Sequence, residues 1–209
     1  MANADHWNDV YRARDTNALT WHQDQPGRAF ELIKVHMDAG KDAPIVDIGG
    51  GSSGLAGALL DAGYGPITVL DLSQEALARA QERLGSERSA QINWQVADVA
   101  TWQPDQSYAL WHDRAVFHFL TDPADQRAYA RAMVQAVQPG GLVMISTFAD
   151  DGPERCSGLL VRRYAPDQLL TEIGQLTDNV FTPIHSERLD HITPKGNIQK
   201  FQLSLLRRK

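Results

Sequence analysis

Apolar and polar positions along this chain follow two periods, and the period switches repeatedly. Residues 4–14 and 26–38 are amphipathic; the second stretch carries Phe30, Leu32, Ile33 and Met37 at near-helical spacing. A polar loop holding Trp21 separates them. Short apolar runs follow at 44–48, 66–70, 92–96, 108–111 and 142–148, each of strand length. Helical stretches are predicted between them. One covers about 53–62 and ends at Gly63. The next begins at Ser73, an N-cap residue with Glu75 in the first turn, and stops at Gly85. A third covers 114–120. A fourth opens at Asp122-Pro123 and halts at Gln138-Pro139-Gly140-Gly141.

Strands alternating with helices predict βαβ units and a parallel sheet with right-handed crossovers. The pattern changes near the end. Residues 167–176 read as a helix, and 180–191 and 197–206 as extended runs joined by Thr193-Pro194-Lys195-Gly196. That is a hairpin signature, so the sheet is expected to finish with an antiparallel pair. No repeat or linker marks a second domain. The expectation is one domain over 1–209, with a helical segment 1–40 ahead of the α/β core 41–209.

Composition narrows the function classes. The 209 residues are 43% hydrophobic and 22% charged, with a net charge of −6. An acidic chain lacks the basic footprint of a sequence-independent nucleic-acid binder, so a nucleic-acid partner is disfavoured. The lone Cys156 excludes an internal disulfide. No run reaches membrane-span length and the first residues lack a secretory pattern, so a cytoplasmic protein with no membrane partner is expected.

The candidate chemistry starts at Asp47-Ile48-Gly49-Gly50-Gly51-Ser52-Ser53-Gly54, between a strand and a helix. A glycine turn there brings backbone close to a ligand and aims helix N–H groups at it. Asp71 follows about twenty residues on, at the next strand end, where a carboxylate can accept from ribose hydroxyls. The pair points to a nucleoside-containing cofactor. Gly49-x-Gly51-x-x-Gly54 also fits a nicotinamide dinucleotide fingerprint. Three features favour a different ligand. Asp47 would crowd a pyrophosphate but suits a ligand with a cationic group. Asp98 stands just past the third strand, placed to accept from an adenine amine. The terminal hairpin is not how dinucleotide domains usually end. Only Lys195, Lys200 and Lys209 follow Lys41, which leaves no Tyr/Lys pair for hydride chemistry.

Asp47-Ile-Gly-Gly-Gly51, Leu70-Asp71-Leu-Ser73, Val96-Ala-Asp98-Val and Gln138-Pro-Gly-Gly141 resemble the ordered motifs of class I S-adenosylmethionine-dependent methyltransferases. His112-Asp113-Arg114-Ala-Val-Phe-His118 and Arg155-Cys-Ser-Gly158 are similar to small stand-alone bacterial members near the thiopurine and tellurite-resistance types. One departure is Ser53 where a third glycine usually follows; Ser52 or Ser53 can cap the helix instead. The resemblance implies a Rossmann-like, seven-stranded, mostly parallel sheet with helices on both faces and a C-terminal antiparallel hairpin.

It also implies the site. Asp47, Gly49, Gly50 and Gly51 would surround the methionine and ribose of S-adenosyl-L-methionine, and Asp71 would take both ribose hydroxyls. Leu72 would pack on adenine, Asp98 would bind its amine, and the Val99 N–H would meet a ring nitrogen. Trp21, with Trp7 and Tyr11, would cover the sulfonium as part of an N-terminal lid, or simply anchor a terminal helix to the core. Asp113 and His118 are the candidate bases. Their structural alternatives are a helix cap or Arg114 partner for Asp113, and a satisfied buried ring for His118. The spacing of His112, Asp113 and His118 matches no standard metal pattern. Arg114, Phe117, Arg163 and Tyr164 are the candidate acceptor contacts. The acceptor would be a small molecule or a protein side chain.

Overall fold

The structure, a computed structural model, describes residues 3–23 and 25–209. Met1 and Ala2, part of the expected N-terminal segment, and Asp24 lie outside the described residues. The parallel strands are β1 (Ile45–Ile48), β2 (Ile67–Asp71), β3 (Ile92–Val96), β4 (Tyr108–Arg114) and β5 (Val137–Phe148). The helices are α1 (Ala4–Ala13), α2 (Gly27–His36), α3 (Leu55–Asp61), α4 (Gln74–Leu84), the short α5 (Ser86–Ser89), α6 (Pro123–Ala136) and α7 (Pro166–Leu176). A small hairpin, β6 (Arg155–Cys156) and β7 (Leu159–Leu160), follows β5, and the chain ends with β8 (Phe181–Ile192) and β9 (Ile198–Arg208).

The seven-stranded sheet has the order β3-β2-β1-β4-β5-β9-β8. Its first five strands are parallel; β9 pairs antiparallel with β5, and β8 with β9. Alternate side chains of β5 separate two cores. Val143 and Ile145 join Tyr129, Met133, Leu169 and Ile173 from α6 and α7 on one face. Leu142 and Met144 join Leu32, Ile33, Leu55, Leu59 and Leu77 from α2, α3 and α4 on the other. Helices therefore cover both faces.

Caps set several boundaries. The Ser73 side chain accepts from the Ala76 N–H to open α4, and Asp122 accepts from Ala124 ahead of Pro123 to open α6. Two boundaries differ from expectation. The stretch 114–120 is not a helix: β4 runs on to Arg114 because its register with β5 continues to Ser146, and only a 3₁₀ turn at Phe117–Phe119 follows. β5 starts at Val137, and the proline-glycine segment is absorbed as a register irregularity opposite Tyr108–Leu110.

Candidate cofactor and active site

The glycine turn leaves β1 at the carboxyl edge of the sheet, where open α/β sheets bind ligands. Gly49 and Gly51 have φ of +63° and +33°, a region L side chains rarely adopt. A Cβ on Gly51 would stand 2.6 Å from Asp71 Oδ2 and 3.1 Å from the Tyr11 hydroxyl. A Cβ on Gly50 would stand 2.6 Å from Asp47 Oδ2. The turn therefore lies directly on two carboxylates, and any side chain would push it off them. Neither serine is the cap of α3: that position is Gly54, with no side-chain cap hydrogen bond, and the Ser53 Oγ, one place ahead, accepts from the Leu55 N–H at 3.0 Å.

A cavity opens between this edge and the N-terminal segment. Near β2 and β3 it is lined by Leu70, Asp71, Leu72, Ala97, Asp98 and Val99. Near β4, β5 and β9 its walls are Trp7, Trp21, Phe119, Phe148, Cys156 and Phe201. A second lobe is lined by Asp47, Gly49, Gly50, Ser53, His112 and Arg114, among others. The lobes share Tyr11, Trp21, Ile48, Gly49 and Arg114.

The carboxylates are positioned by backbone. Asp71 Oδ1 accepts from the Ser73 N–H at 2.8 Å, and Asp98 Oδ1 from the Ala100 N–H at 2.9 Å. Burial pushes the Asp71 carboxyl up to about 7; neighbouring N–H groups oppose the shift and the Asp47 charge adds to it. Asp47 Oδ1 is held by His112 Nδ1 at 2.7 Å, while Oδ2 has no partner. Arg114 Nη1 donates to the Trp21 carbonyl at 2.9 Å, and the guanidinium lies 5.3 Å from the centre of the Phe201 ring. Its Nη2 has no partner, and burial lowers its pKa to about 10.

Residues 45–141 match the family model of a methyltransferase domain. The solved structure of the N-methyltransferase NodS from Bradyrhizobium japonicum WM9, in complex with S-adenosyl-l-homocysteine, superposes with a TM-score of 0.68 at 18% identity, covering 99% of both chains. Residues 45–141 are thus similar to a methyltransferase domain, and the solved structures share the fold of the whole chain. The Burkholderia thailandensis 1,6-didemethyltoxoflavin-N1-methyltransferase also superposes with a TM-score of 0.68, at 21% identity over 100% of this chain and 92% of that one. In sequence, the eEF1A lysine and N-terminal methyltransferase homolog of Drosophila melanogaster is 26% identical over 148 residues, 68% of this chain and 21% of that protein. This chain spans between 21% and 47% of the length of the curated relatives it matches first.

The fold gathers Asp47, Gly49, Gly50, Asp71, Leu72, Asp98, Val99, Trp21 and Arg114 around the two lobes and sets Gly51 against Asp71. Five other candidates lie elsewhere. Asp113 is fully buried and faces away from the cavity; it accepts from the Val116 N–H at 2.8 Å, the Phe117 N–H at 3.0 Å and the Tyr129 hydroxyl at 2.7 Å. Burial pushes its carboxyl up to about 6. His118 is buried behind Phe119 and Phe148, and its Nδ1 accepts from the Phe148 N–H at 3.2 Å. Burial and the Arg114 charge lower its pKa to about 3, so the ring is neutral. Phe117 packs on Tyr129 and Tyr164 in the core; Phe119, two places on, faces the cavity instead. Tyr164 is buried against Gln126, and Arg163 turns outward to Glu154 and the Gly152 carbonyl. None of these five lines either lobe: Asp113, Tyr164 and Arg163 bond protein partners, Phe117 packs in the core, and the buried His118 ring is bonded at Nδ1 only, its Nε2 having no partner.

Phe148, Gln199 and Phe201 line the cavity without having been singled out from the sequence, and so does His112 as a side chain. Their signal is tertiary, since Gln199 and Phe201 arrive on the antiparallel strand β9. Among the described residues no helix is long and apolar enough to cross a membrane.

Proposed function

We propose that the protein transfers a methyl group from S-adenosylmethionine to a small molecule or a protein side chain. One observation carries this reading. Asp71 and Asp98, from different strand ends, line one cavity with a glycine turn that has room for backbone alone. The donor supplies a methyl group activated on a sulfonium.

The chain's residues divide the work. Asp71 accepts from both ribose hydroxyls, and Asp98 from the adenine amine. Leu72 packs on the base, while the Val99 N–H meets a ring nitrogen. Gly49, Gly50 and Gly51 let the chain pass beside the ribose and methionine. Trp7, Tyr11 and Trp21 close over the site, so residues 1–40 act as a lid on one domain rather than as a second domain. Phe119, Phe148 and Phe201 make a dry acceptor wall that holds nucleophile and methyl in line. Asp113 and His118 do not line the cavity, and burial keeps the Cys156 thiol protonated, up at about 11. The acceptor therefore enters already able to attack. A cytoplasmic location is proposed from the same free, buried thiol.

The test is formation of S-adenosylhomocysteine from the labelled donor with small-molecule and peptide acceptor panels. Turnover that falls with Asp71→Asn at limiting donor supports the reading. Donor binding with no transfer to any acceptor favours a non-catalytic binding protein.

A further inference from the structure

The proposed acceptor side of the cavity is aromatic, and one side-chain amide stands in it, that of Gln199. Its place follows from strand geometry. Side chains alternate along β9, so Gln199 shares a face with Phe201, while the exposed Ile198 and Lys200 lie on the other. Phe201 pairs with Phe148 of β5, and the two rings lie 4.8 Å apart. On its other flank Gln199 pairs with His191 of β8, whose Nε2 lies 2.7 Å from the Thr20 carbonyl of the proposed lid. Among the described residues the Gln199 amide has no hydrogen-bond partner. A primary amide presents N–H donors and a carbonyl acceptor side by side. Set in an aromatic wall, it disfavours any occupant that cannot pair with it.

We propose that Gln199 selects the methyl acceptor, and that this acceptor is an uncharged planar ring with a lactam or amide edge rather than a protein side chain. The assignment rests on the methyltransferase reading. Trp7, Phe119, Phe148 and Phe201 offer ring surfaces that suit a flat body. The lactam N–H donates to the Gln199 carbonyl oxygen, and the lactam oxygen accepts from the Gln199 amide N–H. A cationic acceptor is opposed. The buried Arg114 guanidinium shares this wall and lies 5.3 Å from the centre of the Phe201 ring, a ring that an ammonium would otherwise use. A lysine side chain enters protonated at neutral pH, and neither Asp113 nor His118 lines the cavity to take its proton.

Bicyclic probes of one ring shape test the edge, each titrated by calorimetry into the whole chain saturated with S-adenosylhomocysteine. 2-Quinolinone carries the lactam edge, quinoline has neither its carbonyl nor its N–H, and protonated 2-aminoquinoline presents donors alone. The wild type is expected to bind 2-quinolinone about 3- to 10-fold tighter than quinoline, the range for a neutral hydrogen bond. Gln199→Leu should bring the two within about twofold while leaving S-adenosylhomocysteine affinity unchanged, which also shows that the variant is folded. Gln199→Glu, whose carboxylate only accepts, should transfer the preference to 2-aminoquinoline, an exchange that a merely structural glutamine would not produce. A wild-type preference below about twofold overturns the proposal, and so does one that survives either substitution. Failure of every ring to bind, with S-adenosylhomocysteine still bound, overturns it too and leaves the donor site standing. Failure of S-adenosylhomocysteine to bind the wild type is a different result: it overturns the methyltransferase reading, and this proposal with it.

Discussion

Asp71 is a carboxylate whose burial works against its proposed task. Its raised pKa, about 7, means that the unliganded fold favours the protonated form. The stability this contributes is full below the unfolded carboxylate range and is lost as pH rises through about 7. Ribose hydroxyls need the ionised form as acceptor, so affinity should move the opposite way. S-adenosylhomocysteine binding is expected to tighten about tenfold between roughly pH 6 and 8. Asp71→Asn should flatten that profile and weaken binding by about 10- to 100-fold. A flat wild-type titration would contradict the assignment. Asp113 behaves differently, as the end of a buried chain from the Trp111 indole through the Tyr129 hydroxyl. Asp113→Ala is expected to cost about 3 kcal/mol or more in urea unfolding, since several donors lose their acceptor. A variant as stable as wild type but without turnover would restore Asp113 as a catalytic base. The acids of the strand ends were legible because the βα pattern itself places them. Phe117 and Phe119 were not separable, because one 3₁₀ turn sends the first to the core and the second to the cavity.

Among the elements, α1 and the loop after it, the proposed lid, are tied to the rest of the fold by a few polar contacts. Asn8 Oδ1 accepts from the Ser73 hydroxyl at 2.8 Å, Arg79 donates to the Arg14 carbonyl at 2.6 Å, and His191 Nε2 lies 2.7 Å from the Thr20 carbonyl. The apolar backing is narrow: Tyr11, Leu19 and Ala76 cluster with the partly buried Trp7, Val10 and Trp21, and this group meets the core through Trp7 on Phe119 and Trp21 against the Phe148 and Phe201 cluster. Segments held this way open below the global stability. Saturating S-adenosylhomocysteine is expected to slow amide exchange across 4–21 more than across β5. Equal protection of both, or none in the segment, would remove the lid. Trp7 and Trp21 meet edge to face at 5.9 Å within the cavity wall, so their fluorescence should change as ligand binds. A ligand-dependent signal that persists unchanged in the Trp7→Phe, Trp21→Phe double variant would place the ligand elsewhere. Most elements were readable from period, caps and turns. The exceptions have two causes: β4 is extended by its pairing with β5, and β6 and β7 are two residues each, too short to carry a period.

At the scale of the whole molecule, the strand order β3-β2-β1-β4-β5-β9-β8 explains why the site is where it is. The order reverses beside β1, which opens a crevice over its carboxyl end. Acids from the β2 and β3 ends reach one side of that crevice, and aromatics from β5 and β9 reach the other. The antiparallel strand β9 brings Gln199 and Phe201 to the cavity wall, the proposed acceptor side. The hairpin was visible in the sequence, but the rings it would deliver were not, since that depends on its register with β5. The central claim is that this crevice takes an adenosyl donor and not a dinucleotide. Thermal unfolding with S-adenosylhomocysteine and with NADH, titrated separately, tests it directly. A ligand bound only by the native state adds about 2.7 kcal/mol at a hundredfold excess over its Kd. S-adenosylhomocysteine is expected to raise the Tm and NADH to leave it unchanged; stabilisation by NADH alone would contradict the account.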